Sequence, residues 1–248
     1  MTIHTGLPSP PSDGRARGCA LHGLRAIRLL ARIPEPELGN IARCCAWRRY
    51  AREQTILARD ATDKDVYFIA SGVVRVTAFS GSGRQLTFRD LGMGEWFGDL
   101  AAIDGGRRSA DVVAVSETLV ASVSSALFLQ MIARNPTMAE ALLRHMVGHV
   151  RDLSARLFSL STLGVQNRIH AELLRLARLT QAHGNIAFLE PAPRHIDIAS
   201  HVSTSREEVS RELSRLKCEG IVQRQGRALV ISDLDRLQRM VNDVRGLR

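Results

Sequence analysis

Between Pro136 and Leu163 the apolar residues Ala139, Leu143, Met146, Val150, Leu153, Leu157 and Leu160 follow one another in alternating steps of four and three. A 3.5-residue period held this long specifies one extended helix with a continuous apolar seam. Such a seam has two uses. It can pack on a domain of its own chain, or it can meet a second copy as a parallel two-stranded coiled coil. The regularity of the period favours the coiled coil, hence a homodimer.

The seam divides the chain. Residues 1–20 are rich in Pro, Gly and Ser, show no apolar period and predict a disordered arm. Residues 21–135 come next. Helical spacing from Leu24 to Trp47 is broken at Ile33-Pro34-Glu35-Pro36, which predicts a helix, a turn and a second short helix. From Tyr50 to Ser124 short β-branched and aromatic runs alternate with turns such as Ser71-Gly72 and Gly92-Met93-Gly94, the pattern of an antiparallel jelly roll. After the dimerisation helix at 136–163, residues 164–248 show helices at Arg194–Val202 and Ser205–Cys218. A strand–turn–strand ribbon follows at Gly220–Ile231, and a last helix begins near Asp233. The fold class is α+β: an N-terminal β-roll, a long helix and a C-terminal winged helix-turn-helix.

Charge placement bears on partners. Residues 1–50 carry eight basic and three acidic groups, residues 51–163 twelve of each, and residues 164–248 fourteen basic and ten acidic. The surplus at both ends attracts polyanions without choosing among them. All basic residues except Lys64 and Lys217 are Arg, which suits bidentate contact with guanine or phosphate. No run of about 18 apolar residues occurs, so no membrane partner is expected. Cys19, Cys44, Cys45 and Cys218 match no zinc or iron–sulfur spacing and fit a reducing cytoplasm. His145 and His149 are four apart on a helix, but no third ligand accompanies them. No metal or covalent cofactor is therefore expected. No nucleophile elbow, zinc-protease motif or Gly-rich nucleotide loop appears, so an enzyme is not expected.

Two segments carry chemistry. In HIDIASHVSTSREEVSREL, Ala199 is small where two helices cross, and Ser205 with Glu208 forms a capping box. Val209, Leu213 and Leu216 face inward, leaving Arg206, Glu207, Ser210 and Arg211 beside Ser205 on the outer face. Arg can pair with guanine O6 and N7, and Glu can accept from cytosine N4. An ordinary salt-bridged surface helix would show similar charge spacing. The second segment is FGDLAAIDGGRRSADVVA. Gly98, Asp99, Leu100 and Ala101 lie where a strand opens into a helix whose backbone N–H groups can hold a phosphate. Arg108 can pair with the same anion, Ser109 adds a hydroxyl, and Asp99 can accept from a ribose 2′-OH.

From about Leu24 to Val230 the chain resembles the family of the cyclic AMP receptor protein and its fumarate–nitrate regulator (Crp/Fnr) relatives. STSREEVSREL is similar to that family's recognition helix, and FGDLAAIDGGRRSADVVA resembles the phosphate-binding cassette of cyclic-nucleotide-binding domains. The resemblance implies a transcription regulator whose Arg206 and Arg211 contact guanines and whose Glu207 contacts a cytosine. It implies half-sites of TGTGA type in double-stranded DNA, and contact with RNA polymerase through the loop Ala182–Glu190. It also implies a cyclic nucleotide, cAMP or cGMP, as allosteric ligand, with Ser109 and Ser154 facing the purine.

Three departures stand out. Ser203 occupies a turn position where the family usually has Gly. Asp99 replaces a consensus Glu and retracts the carboxylate by about 1.5 Å. Leu153-Ser154 stands where cAMP-responsive members carry Thr-Ser. The phosphate end of a nucleotide site is thus preserved while its ribose and base ends are altered. A constitutive regulator, or one sensing a redox or gas signal with a vestigial cassette, is the alternative.

Overall fold

The computed structural model describes residues 21–81, 83, 85–180 and 182–245, so the arm expected at 1–20 lies outside the described residues. The described chain forms two compact units. One holds residues up to Ala78 together with Phe88–Val147; the other holds Phe79–Thr87 together with the chain from Gly148 onward.

In the first unit a 3-10 turn at Arg28–Leu30 precedes α1 (Glu35–Cys44). Pro34 sets the entry to α1, and Glu35 and Glu37 place negative charge on its N-terminal turn. The sequence predicts helix as far as Trp47, but Cys45 is extended and β1 (Ala46–Tyr50) follows. The reason is tertiary: β1 pairs antiparallel with β8 (Thr118–Val123), with Trp47 opposite Ala121. One sheet runs in the order β1, β8, β3 (Val66–Ser71), β6 (Trp96–Phe97). The other runs β2 (Thr55–Leu57), β7 (Asp111–Ala114), β4 (Val73–Phe79), β5 (Gln85–Gly92). Ile69, Val74 and Val120 are buried in one core, Phe68 on the opposite face of β3 lies in another with Leu38 and Phe128, and the bidentate Arg75–Asp90 ion pair joins β4 to β5. Two helices complete the unit, α2 (Asp99–Asp104) and α3 (Ser125–Arg134), the latter capped by Ser124 Oγ accepting from Leu127 N–H.

Helix α4 (Pro136–Thr162) spans 27 residues, as the apolar period predicts. Its burial changes along its length. Met138 and Leu142 are buried in the core that contains Phe68, Trp96 and Phe128, and the seam residue Met146 packs against that same core. Leu143, Val150, Leu153, Leu157 and Leu160 instead remain exposed, joined by Val147 and Phe158, with Leu157 at 67 %.

The second unit is built on α5 (Val165–Arg178), α6 (His195–Val202), α7 (Arg206–Cys218) and α8 (Leu234–Arg245). Its four-stranded sheet has the order β11 (Val222–Gln225), β12 (Ala228–Ile231), β10 (Ile186–Leu189), β9 (Ala182–His183). The stretch Ala182–Glu190, expected as a loop, is therefore largely the β9–β10 hairpin, added to the wing through Ala187 opposite Ile231. Ile169, Leu173, Ile198, Val209, Leu216 and Leu237 close one core between the helices and this sheet.

Leu142 is packed on its own unit, so Leu142→Ala should destabilise the protein by about 2–4 kcal/mol. Urea unfolding at fixed protein concentration checks this; a loss below about 1 kcal/mol would contradict the packing described.

Candidate functional site: a DNA-facing helix and an arginine-lined cassette

The helix-turn-helix is set by its turn. Ser203 ends α6 in the left-handed region (φ 57°, ψ 52°), and its backbone N–H and that of Thr204 both return to the Ala199 carbonyl. This is the conformation for which Gly is favoured, and Ser203 adopts it with its Oγ buried and without a hydrogen-bond partner among the described residues. Ser205 then caps α7, its Oγ accepting from Glu208 N–H at 3.2 Å. The Thr204 hydroxyl donates to the Glu208 carboxylate. That bond, with a smaller contribution from the Ser205 backbone N–H, holds the Glu208 pKa below its usual value. Both arms of the capping box are present.

Val209, Leu213 and Leu216 are buried, so the opposite face of α7 points outward. Ser205, Arg206, Glu207 and Arg211 are exposed on it and Ser210 is half-buried. Arg206, Glu207 and Arg211 make no ion pair or side-chain hydrogen bond with the described residues. The five predicted DNA-contacting residues therefore share one accessible surface at the start of one helix.

Sequence reasoning missed what supports that helix. His170 on α5 and Glu212 on α7 are both buried, with Nε2 and Oε1 2.5 Å apart. Arg215 donates to the same carboxylate through Nη2 at 2.6 Å, and Arg236 reaches Glu219 one turn further on. Burial pushes the Glu212 pKa up. Hydrogen bonds from Arg215 and His170 more than offset this and leave it below the ordinary 4.5. His170 thus donates through Nε2, and its Nδ1 is buried without a partner among the described residues. The wing adds exposed Arg224 and Arg227 around Gly226, which takes a positive φ. Burial, then the charges of Arg206 and Arg224, lower the His195 pKa, so α6, α7 and the wing bring positive charge to one neighbourhood.

In the first unit the cassette turns at Gly98 (φ 89°). A Cβ there would lie 2.7 Å from the Asp65 carbonyl oxygen and 2.8 Å from Arg108 Nη1, so both conformation and space require Gly. Arg108 is only 3 % exposed. Its Nη1 donates to the Gly98 carbonyl at 2.9 Å, and its Nη2 donates to the Asp65 carbonyl at 2.8 Å and to Asp63 Oδ2 at 2.5 Å. The Tyr67 ring, stacked on Phe97, lies 5.9 Å from the guanidinium carbon.

Asp99 is also buried, and its Oδ2 accepts from the Trp96 indole N–H at 3.0 Å. Trp96 in turn packs against His145, with ring centroids 4.2 Å apart. Leu100 and Ser109 are exposed and Ala101 is buried. Ser154, in the second unit, is exposed, and its hydroxyl donates back to the Val150 carbonyl. Asp63 and Trp96 belong to the cassette's hydrogen bonding, and no sequence motif marks either. Burial, and secondarily Cys44, raises the Cys45 thiol pKa to about 12, so it is not a reactive thiolate.

A β-roll carrying a buried arginine under its cassette, a long helix and a winged helix-turn-helix together define a DNA-binding transcription regulator with a sensor-type domain. Residues 47–135 match the cyclic nucleotide-binding domain and residues 167–240 the Crp-like helix-turn-helix domain. The chain belongs to the Crp/Fnr family, whose members are transcription regulators and not enzymes. It is 34 % identical over 175 residues to the cyclic AMP receptor protein of Thermus thermophilus, covering 71 % of this chain and 78 % of that protein. It is 28 % identical over 192 residues to the CRP-like cAMP-activated global transcriptional regulator of Mycobacterium tuberculosis, covering 77 % and 85 %. In fold it is similar to the c-di-GMP responsive global regulator of Xanthomonas campestris, with a TM-score of 0.70 at 21 % identity, covering 80 % of this chain and 99 % of that one.

Two outcomes test this geometry. Ser203→Gly relieves a left-handed side chain and removes a buried unpaired hydroxyl; it should stabilise by about 1 kcal/mol after the entropy cost of Gly, read as a higher Tm. Glu212→Gln should cost about 2 kcal/mol at neutral pH in urea unfolding. Because the folded Glu212 pKa is depressed, its contribution is fully present above 4.5 and is lost as pH falls through the lower folded value. The gap between wild type and variant should therefore narrow in acid; a gap that widens there contradicts the assignment.

Proposed function

We propose that the protein is a homodimeric regulator that binds a TGTGA-type palindrome and is controlled by cAMP or cGMP in its β-roll. The observation that carries the DNA-binding half is the unpartnered display of Arg206 and Arg211 on the outer face of a capped helix. In a two-fold dimer two such helices, one DNA turn or about 34 Å apart, meet successive major grooves. Arg206 and Arg211 read guanines there and Glu207 a cytosine, while Ser205 and Ser210 contact backbone or base edges.

Dimerisation is supported by the exposed stripe from Leu143 to Leu160. A contiguous apolar face of this kind marks an interaction surface, and its near-heptad period fits a second copy of the same helix. Nucleotide control is supported by the match to the cyclic nucleotide-binding domain, by relatives named as cAMP-activated, and by a buried guanidinium next to the Gly98 turn. Gly98, Asp99, Leu100, Ala101, Arg108 and Ser109 form the proposed ligand cassette, with Ser154 as a contact from the helix. RNA polymerase is the proposed further partner, through the hairpin at Ala182–Glu190.

A second reading has its own observation. Asp99 already serves Trp96 and Arg108 already serves Asp63, so each charged side chain of the cassette has an internal partner. A regulator that is constitutive, or that answers a redox or gas signal, fits this arrangement.

Gel retardation on a TGTGA-type palindrome, with and without each nucleotide, separates the two. Under the proposed function one nucleotide tightens binding and Arg108→Ala abolishes the response. Arg206→Ala lowers discrimination at one base pair by about 1–3 kcal/mol. Binding unaffected by either nucleotide favours the second reading, and an unchanged site preference in Arg206→Ala removes the readout assignment.

A further inference from the structure

Arg108 has five N–H donors. Three are committed: one on Nη1 to the Gly98 carbonyl, and both on Nη2, to the Asp65 carbonyl and to Asp63 Oδ2. Nε is buried and has no hydrogen-bond partner among the described residues. A buried, orphaned charged donor is costly and marks a place where an acceptor belongs. An oxyanion grips a guanidinium side-on through two parallel donors, Nε and Nη2. In this structure Nε is unclaimed and Nη2 is held by a carboxylate.

The two partners differ in freedom. The Arg108 side chain is 2 % exposed, whereas that of Asp63 is 46 % exposed. Beneath them the main chain is fixed: Asp60 N–H donates to the Arg108 carbonyl at 2.9 Å, and Arg108 N–H donates to the Ala61 carbonyl at 3.0 Å. Asp63 can therefore swing out to water without unpairing its loop. The arginine cannot follow, because two carbonyls hold it. A phosphate beside a retained Asp63 would also put two like charges against one cation.

We infer that Asp63 is the internal occupant of an anion seat on Arg108, so that an incoming phosphodiester binds by displacing the Asp63 carboxylate from Nη2. Asp63 then sets the ligand concentration at which the sensor responds. The identity of the phosphodiester rests on the proposed function above; the seat and its occupant do not. A carboxylate that instead held Arg108 in place for the ligand would play the opposite role. The two roles give opposite signs in experiment.

Full-length wild type, Asp63→Asn and Asp63→Ser are titrated with cAMP and cGMP by calorimetry. Melting temperatures are recorded with and without dimethyl phosphate, the smallest phosphodiester. Asn keeps the shape and Ser keeps an oxygen acceptor, so one remains informative if the other does not fold. Both variants should bind the nucleotide on the order of tenfold more tightly than wild type, a difference of about 1.4 kcal/mol. Equal or weaker nucleotide affinity in the variants overturns the inference while leaving nucleotide control standing. If no form binds either nucleotide, nucleotide control fails and dimethyl phosphate decides. A larger thermal stabilisation of the variants than of wild type upholds the seat and its occupant, and an equal or smaller one overturns both.

Discussion

The first unit is organised around a positive charge that has nowhere to go. Arg108 is buried among strands and a short helix, and its guanidinium carries its charge into that interior. The protein must therefore supply acceptors. Two are main-chain carbonyls, at Gly98 and Asp65, and each fixes a segment: the cassette turn and the entry to β3. Gly98 can present its carbonyl because it adopts a positive φ and has no Cβ to strike Asp65 or Arg108. The third acceptor, Asp63, is the partner whose carboxylate bonds the guanidinium directly, and it is half open to water.

The second unit solves a related problem differently. Glu212 is a buried carboxylate on the inner side of the DNA-facing helix, and all its partners are internal: His170 from α5 and Arg215 from the next turn of α7. Breaking such a network leaves an uncompensated charge, so it resists rearrangement even where its net contribution to stability is modest. On the other side of the same helix Arg206 and Arg211 are exposed and form no ion pair among the described residues. Anchored on one face and free on the other, α7 offers its guanidinium groups to an outside acceptor from a fixed base, which reduces the ordering cost of contact.

Elements with a local signature were legible in the sequence: the β-branched and aromatic runs of β3, β4 and β8, the heptads of α4 and the capping box at Ser205; the left-handed turn at Ser203 was legible only through the family resemblance. The strand β1 was not legible, because Ala46–Tyr50 follows directly on a helical pattern and only pairing with β8 decides between helix and strand. The short β9–β10 hairpin was missed for the same reason, since its partner β12 lies some forty residues later. The charge pairs were least visible. Asp63 and Arg108 are 45 residues apart, and His170 and Glu212 are 42 apart. A spacing of that size has no periodic signature, so sequence could name Arg108 as an anion ligand without seeing that an aspartate already fills the role.

That last point bears on how a sensor can act at all. A ligand shifts a protein only by binding one state better than another. An empty, preformed anion site offers no such difference by itself. At Arg108 any phosphate that binds exchanges one internal contact for one external contact, and the released Asp63 side chain turns to water while its loop stays paired with the Arg108 main chain. Occupancy and a local change of structure are thus the same event. Helix α4 contributes residues to both units, packing Met138 and Leu142 into the first and continuing past Gly148 in the second with its apolar face uncovered. Beside the cassette, the Trp96 indole is bonded to Asp99 and packed on His145 of that helix. A hydrogen bond and a ring contact thus join Asp99 of the cassette to α4, beside the turn whose carbonyl holds Arg108.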